Sequence, residues 1–196
     1  MVIINKINRQ RGGVTRLSLD NGRRLDWPSP VVTESGLEEQ QEIPEAELEE
    51  KLWKAARKLI GQKARDYLGR YLKTTQQFTA HFRRKGYPEE LISPLVEDLK
   101  EEGYLNDDEV ARQHIYNRCR SKPRGKRKII AELIQKGIDS GLARQIVNEE
   151  IDSAKERKLA EEYCQKNNSL PPKKLAGRLK SRGFPGSIIY ELTENR

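Results

Sequence analysis

The chain has 196 residues, with 38 Lys and Arg against 30 Asp and Glu, and a net charge of +8. Charged residues make up 35% of it, well above the roughly 25% of an ordinary globular domain, while hydrophobic residues reach only 35%. One large core is thereby excluded, as is a membrane span, because no run approaches the roughly 18 consecutive apolar residues that spanning requires; two isolated cysteines, Cys119 and Cys164, exclude a disulfide framework.

The N-terminal segment as far as Trp27 predicts three short strands, Val2 to Ile7, Val14 to Leu19 and Arg23 to Trp27. Asp20-Asn21-Gly22 carries the Asn-Gly signal of a type I′ hairpin turn, whose two central residues both need positive φ. Alternation places Leu17, Leu19, Leu25 and Trp27 on one face of this meander and Arg16, Ser18, Arg24 and Asp26 on the other. So small a sheet must lean on a helix that follows. Pro28 and Pro30 close the strand region. From Leu37 to Glu50 the chain carries Glu38, Glu39, Glu42, Glu45, Glu47, Glu49 and Glu50 with no Lys or Arg. This reads as a solvated linker leading into a helix whose early glutamates suit its N-terminal dipole.

After Pro44 the spacing is helical: Leu48, Leu52, Ala55, Ala56, Leu59 and Ile60 share one face, and Tyr67, Leu68, Tyr71 and Leu72 continue the pattern. The strongest internal signal is a repeat centred on Gly86, Gly137 and Gly183, 51 and 46 residues apart. A cation precedes each glycine (Lys85, Lys136, Arg182) and a bulky apolar residue follows it (Tyr87, Ile138, Phe184). Phe78, Ile129 and Leu175 lie eight residues before the glycines and Phe82, Leu133 and Leu179 four before. Leu91, Leu142 and Ile188 come five after, and Leu95, Ile146 and Leu192 nine after. Each copy is therefore helix, glycine turn, helix. The glycine ends the first helix in the left-handed conformation, and the cation suits that helix's negative end.

With a further helix ahead of each pair, near Tyr67–Leu72, Val110–Tyr116 and Leu159–Cys164, the unit becomes three helices of roughly 45 residues, too small to be very stable alone. The fold class is mainly α: tandem three-helix, helix-turn-helix-like repeats in an elongated array behind a small N-terminal β-meander. The expected division is 1–36 for the meander, 37–63 for an acidic linker and connecting helix, and 64–108, 109–155 and 156–196 for three repeats, the last short. Pro94, inside the second helix of the first repeat, predicts a bend or a later start.

Asp107, Asp108 and Glu109 could suggest metal or acid–base chemistry, but Asn106 with Glu109 three residues on is a helix N-terminal cap, where acids belong. No phosphate loop, zinc motif or nucleophile elbow accompanies them, and His81 and His114 lie far apart in the chain on separate predicted helices, read as surface positions. The chain reads as a non-enzyme with no catalytic, cofactor or metal residues. Its densest charge runs from Arg118 to Lys128, where Arg118, Arg120, Lys122, Arg124, Arg127 and Lys128, with Lys126, are interrupted by no acid. Pro123 and Gly125 break the helix there, so these side chains are expected to fan from a loop and the next helix's first turn. Cations at a helix N-terminus oppose its dipole, which points to an anionic partner, phosphate or acidic protein. Arg83, Arg84 and Lys85 form a lesser cluster in the first repeat, and Lys173, Lys174, Arg178, Lys180 and Arg182 another in the third. A sequence-reading helix-turn-helix protein is the alternative, with Arg144, Gln145 and Asn148 as base-reading side chains, and a non-specific nucleic-acid chaperone is a third reading.

Phe82-Arg83-Arg84-Lys85-Gly86-Tyr87, then Leu99 and Gly103-Tyr104-Leu105-Asn106-Asp107-Asp108 into Ala111-Arg112, then Arg124-Gly125 followed by Ile130, Leu133 and Lys136-Gly137-Ile138, resemble the bacterial RecX regulators of the RecA recombinase. The resemblance covers residues 60–150 well. It implies a protein that binds RecA or the groove of its filament on single-stranded DNA. It also implies restraint of RecA's ATPase, strand exchange and co-protease activity, tempering recombination and the SOS response. The basic run adds DNA phosphates as a candidate direct contact, and the lack of an apolar leader or span reads as a cytoplasmic protein, expected to be a monomer.

Overall fold

The computed structural model describes residues 1–69 and 72–194. Tyr71, expected on a helical face, lies outside them. Two compact units result: Met1–Lys73 with Gln77–Leu105, and Thr74–Gln76 with Asn106–Arg196.

The first unit opens with β1 (Val2–Arg9), β2 (Val14–Leu19) and β3 (Arg24–Pro28), which pair antiparallel in the order β3-β2-β1. Leu17 stands opposite both Ile7 and Leu25, so the alternation expected of the meander is realised. The sheet has a fourth strand, β4 (Glu42–Ile43), whose two residues pair with Ile3 and Val2. The acidic stretch is therefore not wholly a solvated linker: Leu37 and Ile43 are buried, and only the residues around them face water. The hairpin turn also departs from expectation. Gly22 has φ +82° but Asn21 does not have positive φ; Gly22 N–H donates to Leu19 carbonyl and Leu19 N–H to Arg23 carbonyl. This is a three-residue loop closed by a left-handed glycine, not a type I′ turn.

Helix α1 (Ser29–Ser35) follows with Pro30 in its first turn, where a missing N–H costs nothing, and buries Val31 and Val32. Helix α2 (Glu45–Leu68) starts on Pro44 with Glu45 and Glu47 in its first turn and buries Leu48, Leu52, Ala55, Ala56, Ile60 and Ala64. These residues share one core with Ile4, Leu17, Leu19 and Trp27, so the sheet does lean on the helix that follows it. Trp27 meets Trp53 edge to face at 5.5 Å. Helices α3 (Thr75–Arg84) and α4 (Glu89–Glu101) contribute Phe78, Phe82, Ile92, Val96 and Leu99 to that core. Helix α4 continues through Pro94 without starting later.

The second unit holds α5 (Asp107–Ser121), α6 (Lys126–Gln135), α7 (Ser140–Glu150), α8 (Ser153–Gln165), α9 (Pro172–Ser181) and α10 (Gly186–Glu194). Asn106 Oδ1 accepts from Glu109 N–H at 3.1 Å, as the cap required. Boundaries expected at 63/64, 108/109 and 155/156 fall inside α2, α5 and α8, because each glycine-centred pair is preceded by a full helix longer than its apolar signal.

The three glycines have φ of +86°, +91° and +86°. In each copy the glycine N–H bonds three residues back (Arg83, Ile134, Lys180), and the next N–H bonds five back (Phe82, Leu133, Leu179). This is the Schellman closure of a helix. The residue after each glycine is buried, as are those four and eight before it. In the second helices Ile146 is buried as expected and Ile188 and Leu192 are half-buried, whereas three positions shift by one residue. Ile92, Val96, Ala143 and Val147 are buried, while Leu91, Leu95 and Leu142 are only half-buried.

Candidate functional site

The basic run spans the last turn of α5, the connecting loop and the first turn of α6, and that loop is not free. Pro123 and Gly125 are buried. Gly125 N–H donates to Arg182 carbonyl at 3.0 Å, and Arg182 Nη1 returns a bond to Pro123 carbonyl at 3.2 Å while its guanidinium lies 4.2 Å from the centre of the Tyr163 ring. The loop is thus wedged against the α9–α10 turn. The expected fan of seven cations divides into an inward set, an outward set and two half-buried lysines, Lys126 and Lys128.

One set points inward. Glu132, the single acid of α6, accepts from Arg118 Nε at 2.7 Å and from His114 Nε2 at 2.9 Å, and faces Arg124 Nη1 at 3.0 Å. Its side chain is only 13% exposed. Burial alone would push the Glu132 carboxyl up, but the bonds from His114 and Arg118 and the nearby guanidinium charges outweigh it and hold the group below its ordinary range. His114 is held below its ordinary value chiefly by burial, which outweighs the raising effect of Glu132, so a neutral ring donates Nε2–H to a carboxylate that can only accept. The surface placement expected for His114 is therefore corrected: it is half-buried and bonded. His81 is likewise stacked on Tyr67, at 4.0 Å between ring centres.

The other set faces water. Arg120, Lys122 and Arg127 are exposed; Arg120 donates to Tyr116 hydroxyl at 2.7 Å and lies over its ring, which is itself 57% exposed. Lys126 is half-buried, with Nζ on Asn148 Oδ1 at 3.2 Å, and Lys128 lines a cavity of about 290 Å³ beside Glu132. The conflict between these cations and the α6 dipole is resolved locally. Glu156 on α8, 7% exposed, accepts Lys126 N–H at 2.7 Å and places a carboxylate at the helix N-terminus. Glu132 and Glu156 are the residues that reading the sequence missed. Glu132's isolation among the cations of α6 was a signal, whereas Glu156, two helices further along the chain, gave none.

The remaining candidates lie elsewhere. Arg83 pairs with Glu89 at 2.8 Å and Arg84 Nε donates to Ala80 carbonyl, leaving Lys85 exposed at the end of α3. On α7, Gln145 donates to Glu149, and Glu149 and Glu150 engage Arg112. Among the described residues no group of three or more His, Cys, Asp and Glu side chains could hold a metal, and no helix is long and apolar enough to cross a membrane.

Three-helix units closed by glycine turns, together with a small sheet and a divided basic corner, define a helical-repeat protein. Comparison with known proteins specifies the class. The profile of the RecX second three-helix domain matches residues 106–146. The regulatory protein RecX of Chlorobium limicola is 32% identical over 112 residues, covering 55% of this chain and 70% of that protein. That of Amycolatopsis mediterranei is 28% identical over 157 residues, covering 76% and 87%. A crystal structure of a regulatory protein RecX superposes over the whole of both chains with a TM-score of 0.65 at 20% identity, a likeness of fold. The chain belongs to the RecX family.

Proposed function

We propose that this protein is a non-catalytic regulator of the RecA recombinase, acting in the cytoplasm as a monomer. It binds RecA or the groove of the RecA filament on single-stranded DNA and restrains ATP hydrolysis, strand exchange and co-protease activity, and so tempers recombination and the SOS response. The relatives' shared name, regulatory protein RecX, supports the regulatory role. The observation that carries the site is the outward set: Arg120, Lys122 and Arg127 are exposed on one corner, with Lys85 and its neighbours Arg83 and Arg84 as a second contact on the first repeat. Individually weak contacts from successive three-helix repeats would add by avidity along a filament.

The test replaces Arg120, Lys122 and Arg127 together with alanine, leaving the Glu132 cluster untouched. Inhibition of single-strand-dependent ATP hydrolysis by RecA is expected to require several-fold more of the variant and to depend less steeply on salt. Inhibition indistinguishable from the parent would refute the assignment of the site. No effect of the parent chain on RecA would refute the function.

A further inference from the structure

The inward set is a cradle that is already filled. Glu132 presents both carboxylate oxygens to it, one to Arg118 Nε and His114 Nε2 at 2.7 and 2.9 Å and the other to Arg124 Nη1 at 3.0 Å. The cavity around it is open to solvent and is also lined by Lys128, Gln135 and Lys136. Four cations therefore surround one carboxylate, and among the described residues neither Lys128 nor Lys136 has an acidic partner. Arg124 Nε is buried there with no acceptor. The site is shaped for a carboxylate, holds one, and retains a positive excess and an unused donor.

We propose that this cavity receives an acidic side chain, Asp or Glu, from a protein partner, and that Glu132 is its internal competitor, occupying the cradle in the free protein. The proposal rests on reading the basic corner as the contact surface. A carboxylate is favoured over a backbone phosphate on two grounds. The donors already converge on a planar two-oxygen group. An acidic side chain also enters on a flexible arm, whereas a phosphodiester brings two flanking sugars to a cavity of about 290 Å³. Exchange needs only that Glu132 rotate to water as the incoming carboxylate takes its bonds to Arg118 and Arg124, with Lys128 and Lys136 holding the additional charge. Glu132 thereby sets a threshold that a partner must exceed at the local concentration of a tethered group.

The sign of the effect is diagnostic. If Glu132 only positions the arginines, removing its charge weakens anion binding; if it competes, removing its charge strengthens binding of acidic peptide. The full-length chain, Glu132→Gln and the double variant Lys128→Gln/Lys136→Gln are titrated against labelled hexaglutamate and, separately, oligothymidylate at one ionic strength, by fluorescence anisotropy. Glu132→Gln is expected to bind hexaglutamate about fivefold or more tightly than the parent, with a smaller gain for oligothymidylate. The double variant is expected to lose hexaglutamate affinity by a similar factor. Unchanged or weaker peptide binding by a folded Glu132→Gln overturns the proposal, as does an equal gain on both probes, which is a general charge effect, or a larger gain on oligothymidylate. Should Glu132→Gln fail to fold, the double variant decides, and undiminished peptide binding by it overturns the proposal. No RecA is present, so the outcome is independent of whether the chain regulates RecA.

Discussion

Replacing Gly125 with alanine isolates one contact on which the basic corner depends. Gly125 has φ −73° and ψ 160°, a backbone conformation open to any residue, so alanine adds no torsional strain. Its Cβ would meet only backbone: the Gly183 carbonyl oxygen most closely, then the Gly183 carbonyl carbon at 2.5 Å and Phe184 N at 2.6 Å, where ordinary contact begins at 3.4 Å. The start of α6 must therefore retreat from the α9–α10 turn by about 1 Å. That retreat lengthens the Gly125–Arg182 bond of 3.0 Å and the Arg182–Pro123 bond of 3.2 Å. Overpacking of this kind costs about 1–3 kcal/mol and one weakened buried hydrogen bond about 1 kcal/mol more, giving about 2–4 kcal/mol. For a unit of this size each kcal/mol lowers Tm by about 4–8 °C, so the transition of the second unit is expected to fall by more than about 8 °C. Gly177, in the interior of α9 with nothing within 4 Å of its Cβ position, is the control within the same unit. Alanine there should raise Tm slightly, through helix propensity worth about 0.5–1 kcal/mol. Differential scanning calorimetry of the full chain reads both. A Gly125→Ala transition within about 2 °C of the parent would refute the claim that glycine is required at this position by contact.

Two further outcomes follow from the acids around α6. His114 is held below its ordinary pKa of 6.5 and Glu132 below its ordinary 4.5. In both windows the unfolded chain binds more protons than the folded one, so stability rises with pH. Acidification should therefore destabilise the second unit first below pH 6.5, through His114, and again below pH 4.5, through Glu132. In melts at a series of pH values His114→Gln should abolish only the first stage, and an unchanged slope between about pH 5 and 7 in that variant would contradict the assignment. Glu156→Ala leaves Lys126 N–H without its acceptor and the α6 dipole facing three cations; a loss of about 1–2 kcal/mol is expected in urea unfolding, with Glu156→Gln recovering part of it. An unaltered midpoint for Glu156→Ala would show that α6 needs no such cap.

The repeat was legible because its signal is doubly constrained. A left-handed helix end selects glycine, and the residues at −8, −4 and +1 must then be apolar to bury the closure, as Phe78, Phe82 and Tyr87 do in the first copy. The second helices were less legible because Leu91-Ile92, Leu95-Val96 and Leu142-Ala143 offer neighbouring apolar residues, and only tertiary packing chooses which of them is buried. Strand β4 has two residues and no periodicity to detect; its burial of Ile43 depends on Val2, at the far end of a long loop closure. At the basic corner the density of cations was legible but their direction was not. Arg118 and Arg124 turn inward to Glu132, an acid further along the chain on α6, and the loop that divides the two sets is held by bonds to Arg182, with four helices between it and Gly125.

The repeated glycine does more than end a helix. In the second unit the carbonyl of the cation before it is taken by a segment that starts another helix: Lys136 carbonyl accepts from Thr74 Oγ1 at 2.7 Å, and Arg182 carbonyl accepts from Gly125 N–H at 3.0 Å. Thr74 and Gly125 are separated by the same interval as Gly86 and Gly137, and each immediately precedes its helix, α3 or α6. A Cβ on Gly137 would collide with the Gln76 side chain, and one on Gly183 would come within 2.5 Å of Lys128 N. At both glycines the residue is thus demanded for two independent reasons: positive φ and close approach. At the second of them the docked helix start is the one bearing Lys126, Arg127 and Lys128. The basic corner is accordingly held by a contact that the repeat itself generates, beside the Glu156 carboxylate that offsets its cations at the start of α6.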